Sequence, residues 1–151
     1  MKIITSIEKM KEFSNFARCE SKEIGFVPTM GYLHEGHLSL IKASTAECDY
    51  TVVSVFINPT QFGPDEDFVS YPKNLEADKK VLRLTGADAL FYPNRKDLYP
   101  DGFQTFVEVK EKTKYLCGKS RPGFFRGRHW RSGVGRSIYG GGKKPRRGCL
   151  R

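Results

Sequence analysis

The stretch Pro28-Thr29-Met30-Gly31-Tyr32-Leu33-His34-Glu35-Gly36-His37 decides how the rest of this chain is read. It follows Ile24-Gly25-Phe26-Val27, a short apolar run of the kind that forms a buried strand. Thr29-Met30-Gly31 reads as a turn, and a helix begins within residues 34–37, carrying Leu38, Leu40 and Ile41 inward. A strand whose carboxyl end feeds a turn and then a helix is the position at which open α/β sheets bind nucleotides. Gly31 permits a backbone path that a Cβ would hinder, and Gly36 lets a phosphate approach the helix closely. Free N–H groups at a helix start favour an anion. His34 and His37, three apart, share one helical face and can both point at that anion. An imidazolium there would stabilise charge on a phosphorus transition state and on its departing pyrophosphate.

Two blander readings of the histidines compete. A catalytic zinc needs a third ligand that the sequence does not obviously offer, and the spacing H-E-G-H is one residue short of the zincin H-E-x-x-H. Alternatively, both are ordinary polar residues at a helix start. The glycine-bracketed H-x-G-H directly after a strand and turn favours nucleotide-phosphate binding over either.

Outward from this stretch, helical and strand patterns alternate. Thr5-Ser6-Ile7-Glu8 has the spacing of a capping box, and Ile7, Met10, Phe13 and Phe16 predict an amphipathic helix over residues 6–18. Residues 50–57, Tyr-Thr-Val-Val-Ser-Val-Phe-Ile, form the strongest strand pattern in the chain. Asn58-Pro59 ends it, and a long loop runs through Gly63-Pro64-Asp65 to Tyr71-Pro72. Asn74 caps a third helix with Glu76 and Asp78 in its first turn, Lys79, Lys80 and Arg83 beyond, and Gly86 at its close. That charge order matches the helix dipole. Two further strands are expected at Ala89-Leu90-Phe91-Tyr92 and at residues 105–109. The alternation predicts a parallel sheet with helical crossovers, an α/β nucleotide-binding architecture.

At 151 residues the chain suits one domain, and 38% apolar with 13% aromatic residues exclude wholesale disorder. No apolar run approaches the ~18 residues of a membrane span, and the first residues lack a secretory-signal pattern, so a cytoplasmic protein is expected. The formal charge of +9 is concentrated at one end: residues 1–127 carry a net +1, and residues 128–151 hold eight Lys/Arg and no acid. The charge therefore does not mark the body as a nucleic-acid binder. Cys19, Cys48, Cys117 and Cys149 lack any C-x-x-C pair and read as isolated reduced thiols. Residues 128–151 hold six glycines and scattered apolar residues, and are expected to be disordered.

The motif at residues 26–37, together with Phe56-Ile57-Asn58-Pro59-Thr60-Gln61-Phe62-Gly63, Tyr71-Pro72 and Ser120-Arg121-Pro122-Gly123-Phe124-Phe125-Arg126-Gly127, resembles the pantothenate synthetase (pantoate–β-alanine ligase) family. H-x-G-H alone would indicate only the wider nucleotidyltransferase superfamily. The resemblance covers residues 1–127 and implies a Rossmann-like (HUP-type) nucleotide-binding domain over those residues, followed by the basic tail. It implies attack of pantoate on the α-phosphorus of Mg-ATP to give pantoyl adenylate, then attack by β-alanine to release pantothenate and AMP. It assigns Met30, Gly31, Tyr32, Leu33, His34, Glu35, Gly36 and His37 to the ATP site, with His37 as proton donor beside His34. Gln61 is assigned to pantoate and β-alanine, where a carboxamide offers a donor and an acceptor without charge. The bland reading of Gln61 is a solvated loop side chain, and of Tyr71 simple packing. ATP and Mg²⁺ are the implied cofactors, a homodimer the implied assembly, and no metal ligand is assigned. The acidic run Asp65-Glu66-Asp67 reads as a solvated loop.

Past Gly127 the family pattern continues with an apolar helix, a second ATP-binding segment and a K-M-S-x-R-like loop, none of which follows here. The abrupt gain of charge inside a recognisable motif leads to the expectation of a shifted reading frame after residue 127. These 151 residues alone are accordingly expected to show little or no ligase activity. Two alternatives stand beside the ligase reading: another H-x-G-H nucleotidyltransferase, and a nucleic-acid binder acting through the tail.

Overall fold

Strands that are apolar on both faces must be covered on both, which requires helices on either side of a parallel sheet. The computed structural model, which describes residues 1–62, 71–104 and 136–137, follows that requirement. Its elements are β1 (Lys2–Ile4), α1 (Ile7–Cys19), β2 (Ile24–Thr29), α2 (Glu35–Glu47), β3 (Tyr50–Val55), a 3₁₀ turn (Pro59–Gln61), α3 (Leu75–Leu84), β4 (Ala89–Phe91), α4 (Arg95–Leu98) and β5 (Arg136–Ser137). The sheet order is β1-β4-β3-β2-β5, and every pairing is parallel. This is the α/β class expected from the alternation. Among the described residues no helix is long and apolar enough to cross a membrane.

Alternate strand residues split the core in two. Phe26, Val52, Ala89 and Phe91 pack with Met10 and Ala17 of α1, while Val27, Val53, Val55 and Leu90 pack with Ile41 of α2 and Leu82 of α3. The longest ladder, from Ile24↔Tyr50 to Thr29↔Val55, joins β2 to β3. Helix α2 lies close against β2 because position 25 is glycine. A Cβ there would collide with the Ser44 hydroxyl and meet the Cys48 sulfur at 3.0 Å. The Ser44 hydroxyl also bonds the Thr51 hydroxyl across 2.8 Å in the interior, tying α2 to β3.

Several local expectations are corrected. The N-cap of α1 is Ser6, whose hydroxyl accepts from the Lys9 N–H at 3.3 Å, so Glu8 sits too early to close the box read from Thr5. Phe16 is half exposed, because the stripe that meets the sheet runs through Met10, Ser14 and Ala17. Pro28 does not stop β2, which continues to Thr29. Strand β5 pairs only Gly25 and Phe26, so among the described residues β2 has a free edge at Pro28, where a missing N–H is tolerated. Strand β1, only three residues long, has no recognisable pattern in sequence. Cys19 is disulfide-bonded and not a reduced thiol, since pairing depends on proximity in space, which sequence separation does not fix. Cys48 is free. Strand β5 falls within the tail; the remainder of residues 128–151, the strand expected at 105–109, the loop at 63–70 and residues 120–127 lie outside the described residues.

The close approach at Gly25 gives a direct test of this packing. Gly25→Ala is expected to destabilise the chain by about 1–3 kcal/mol through overpacking. Adding Ser44→Ala, which removes the obstructing hydroxyl, should recover part of the loss in a urea-unfolding double-mutant cycle.

Candidate functional site

The residues singled out in sequence leave the carboxyl end of β2 and become the cap of α2. Buried Thr29 starts the turn: its hydroxyl donates to the Ser54 carbonyl at 2.8 Å and accepts from the Gly31 N–H at 3.2 Å. Gly31 has φ +87° and Tyr32 φ +53°. Gly31 is thus required by conformation, and also by space, since a Cβ would meet Asp78 Oδ2 and Val55 Cγ1 at 3.0 Å. A left-handed tyrosine is uncommon and needs support from its surroundings. That support comes from Asp78 on α3. Its Oδ2 accepts from the Tyr32 N–H at 3.0 Å, and its Oδ1 from the Leu33 N–H at 2.8 Å.

His34 is the N-cap of α2, and the two imidazoles cap reciprocally. His34 Nδ1 accepts from the Gly36 N–H at 3.1 Å, while His37 Nδ1 accepts from the His34 N–H at 3.4 Å. Their ring centroids lie 4.1 Å apart. A backbone N–H can only donate, so each Nδ1 is unprotonated and each neutral ring carries its proton on Nε2. Two Nε2–H donors are thereby held at a helix N-terminus, where partial positive charge already accumulates.

Burial, followed by the neighbouring His34, lowers the pKa of half-buried His37, while Asp78 acts in the opposite direction. The sequence alone suggests an imidazolium here; in this structure the His37 ring is neutral near pH 7, and what it offers is the Nε2–H. The expected role of Gly36 also changes. The space above it is filled by the His34 ring, whose Cε1 would stand 3.0 Å from a Cβ, so the glycine admits the imidazole of the cap.

Met30, Gly31, Tyr32, Leu33, His34, Glu35, Gly36 and His37 form one continuous turn and cap, with Tyr32, His34 and Glu35 exposed and Leu33 packed against the α2–α3 side of the core. Gln61 closes the 3₁₀ turn beyond β3, where its N–H donates to the Asn58 carbonyl at 3.1 Å. The Asn58 side chain accepts from the Tyr99 hydroxyl at 3.0 Å. Tyr71 packs edge-on against Phe62, with centroids 5.6 Å apart. A cavity of about 200 Å³ opens at the carboxyl edge of the sheet, between Met30–Gly31, Val55–Ile57, the start of α3 and residues 92–95. Met30, Gly31 and Asp78 line it, but His34, His37 and Gln61 do not.

Asp78 is the residue that sequence reasoning misses. Its place in the first turn of α3 accounts for it as a dipole partner, and nothing local marks its burial. Among the described residues no group of three His, Cys, Asp or Glu side chains could hold a metal ion.

Comparison with known proteins gives a consistent result. A family model described as Pantoate-beta-alanine ligase matches residues 2–129. The pantothenate synthetase of Thermotoga petrophila is 55% identical over 127 residues, which are 84% of this chain and 45% of the relative. That of Geobacter sulfurreducens is 54% identical over the same shares. A crystal structure of pantothenate synthetase from Thermus thermophilus superposes with a TM-score of 0.75 at 42% identity, covering 83% of this chain and 44% of the other. A pantoate-beta-alanine ligase from Francisella tularensis, complexed with beta-gamma ATP and beta-alanine, gives a TM-score of 0.77 at 44% identity, covering 84% and 49%. The chain thus spans a little under half the length of these relatives.

The reciprocal cap predicts a definite response to acid. His37 has a lowered folded pKa, so its neutral form contributes stability that is full above the ordinary histidine value, about 6.5. That contribution is lost as pH falls through the lower folded value. Nitrogen-15 spectra should show the Nε2–H tautomer for both rings at pH 7. Below the His37 midpoint, the His34 amide, which donates to His37 Nδ1, should exchange faster with solvent; exchange there that ignores this titration would contradict the cap.

Proposed function

The chain belongs to the pantoate-beta-alanine ligase family, and from that premise we propose that it serves the ATP-dependent condensation of pantoate with β-alanine through a pantoyl-adenylate intermediate. A carboxylate oxygen of pantoate attacks the α-phosphorus of ATP, and the bond to pyrophosphate breaks. The amine of β-alanine then attacks the acyl carbon, the bond to AMP breaks, and the amine gives up a proton. Pantothenate, AMP and pyrophosphate are the products.

The observation that carries this reading is the pair of Nε2–H donors fixed by mutual capping at the start of α2, beside the carboxyl end of β2. Donors held in place before the reaction stabilise charge as it develops on the leaving pyrophosphate, with no cost of reorganisation. Residues 30–37 are assigned to ATP on this basis, with His34 and His37 facing its phosphates. The cavity supports the other half of the reading. At about 200 Å³ it is smaller than the ~300–1,000 Å³ of pockets for drug-sized ligands and suits a small hydroxy acid. Gln61 lies outside the lining of that cavity, and its assignment to pantoate and β-alanine rests on the family resemblance alone. Mg²⁺, if it accompanies the nucleotide, would supply charge neutralisation there; Asp78, the buried carboxylate nearest the cap, has both oxygens committed to backbone amides.

Calorimetric ATP binding tests the assignment. His37→Ala is expected to weaken ATP binding by about ten- to a hundredfold, the worth of a hydrogen bond to a charged group. Gln61→Ala should leave ATP binding intact and weaken pantoate and β-alanine. Where pantoate-dependent pyrophosphate release is measured, AMP should appear free once β-alanine is added. AMP retained in the product would instead indicate another H-x-G-H nucleotidyltransferase, and unchanged ATP affinity in His37→Ala would remove the histidine from its role.

A further inference from the structure

The geometry points to Asp78 as the positioning residue of the nucleotide site: its carboxylate holds the Gly31–Leu33 backbone in the one conformation that delivers His34 and His37 as a capped pair. This inference rests on the proposed role of that pair in binding ATP. Asp78 lies 46 positions from Tyr32 in sequence and is only 4% exposed. Burying a carboxylate is costly unless its oxygens are hydrogen-bonded. Both oxygens are, and both partners are consecutive backbone N–H groups of the same loop.

Three observations separate this from ordinary structural packing. First, the loop includes a left-handed non-glycine residue, Tyr32, whose side chain is 62% exposed and gives little packing in return. The conformation is maintained from the backbone side, by Asp78. Second, Gly31 leaves room for the carboxylate, since Asp78 Oδ2 would sit 3.0 Å from a Cβ at that position. Third, Asp78 acts electrostatically on His37 and not only on the loop. The titratable groups acting on the His37 ring are His34, from the cap of α2, and Asp78, from α3, and they act in opposite senses. Asp78 therefore sets both where the ring sits and how readily it takes a proton when an anionic ligand arrives.

The test uses the nitrogen-15-labelled chain. In the wild-type protein the Tyr32 and Leu33 amides, both held by the Asp78 carboxylate, should be protected from exchange. Asp78→Asn keeps the shape but turns one acceptor into a donor facing an N–H. It is expected to lose protection at one of the two amides, to shift the His37 midpoint to lower pH, and to weaken ATP binding by about tenfold. A merely structural role would lower thermal stability without moving the His37 midpoint. Should Asp78→Asn fail to fold by circular dichroism, exchange of the Tyr32 and Leu33 amides in the wild-type protein still decides the matter, since it reads the two contacts directly. The inference is overturned if the wild-type Tyr32 and Leu33 amides exchange as fast as open loop amides. It is equally overturned if a folded Asp78→Asn keeps the wild-type His37 midpoint and ATP affinity. A wild-type chain that binds no ATP would count against the functional reading instead, while amide exchange and the His37 titration still decide the role of Asp78.

Discussion

The parallel ladder between β2 and β3 is the constraint on which the site depends. Six consecutive pairs, ending at Thr29↔Val55, bring the carboxyl ends of both strands to the same level, and the Phe56 N–H donating to the Thr29 carbonyl at 3.0 Å extends the alignment one residue further. Parallel strands present their carboxyl ends at one edge. Residues 30–34 and 56–61 therefore emerge side by side although 26 positions separate Met30 from Phe56 in sequence. Strand β4 joins the same edge through Ser54↔Phe91, which brings Tyr92 to Arg95 to the opposite wall of the cavity. A slip of one residue would exchange one apolar face for another at little cost in polarity. It would break the alignment of the loops, and with it the cavity.

Above that ladder, the loop resolves a competition between two anions. Successive N–H groups in a left-handed turn make a concavity that suits a phosphate or a carboxylate. Here the protein fills it with its own Asp78. On the proposed reading, a nucleotide at the same turn would instead meet the start of α2 and the two Nε2–H groups. The internal carboxylate thus occupies the turn backbone, so that in the proposed ATP site the phosphates would be left to the histidines.

Where the sequence is legible, one physical effect dominates the local pattern. Residues 50–55 are, apart from Ser54, β-branched or aromatic on both faces, and only a buried strand satisfies such a run. Asn74 caps α3 as expected because an Asx side chain before a charged first turn has few other uses; its Oδ1 accepts from the Ala77 N–H at 3.1 Å. The turn and helix start around His34 and His37 are legible for the same reason, as glycines punctuate them. What fails to show depends on tertiary proximity. Strand β1 exists through its pairing of Lys2, Ile3 and Ile4 with β4, and three residues carry no period of their own. Asp78 resembles any acidic residue in a first helical turn until α3 is laid against the loop. Gly36 reads in sequence as making space for a ligand, but only the folded cap reveals that the space belongs to His34.

The capped geometry also narrows what His37 can do to a proton. A neutral ring with its proton on Nε2 can donate a hydrogen bond but cannot give that proton away fully, because the product would be an imidazolate. Acting as an acid requires the ring to be protonated first, and the second proton must go to Nδ1, where the His34 N–H already points. Two donors cannot face each other, so full proton transfer demands that the cap open, whereas hydrogen-bond donation does not. Burial and His34 resist protonation, while Asp78 favours it. A triphosphate bound as proposed would add negative charge on the same side of the balance as Asp78. The capped ring is therefore a neutral donor, and its conversion to an acid would require release of the His34 amide from its cap.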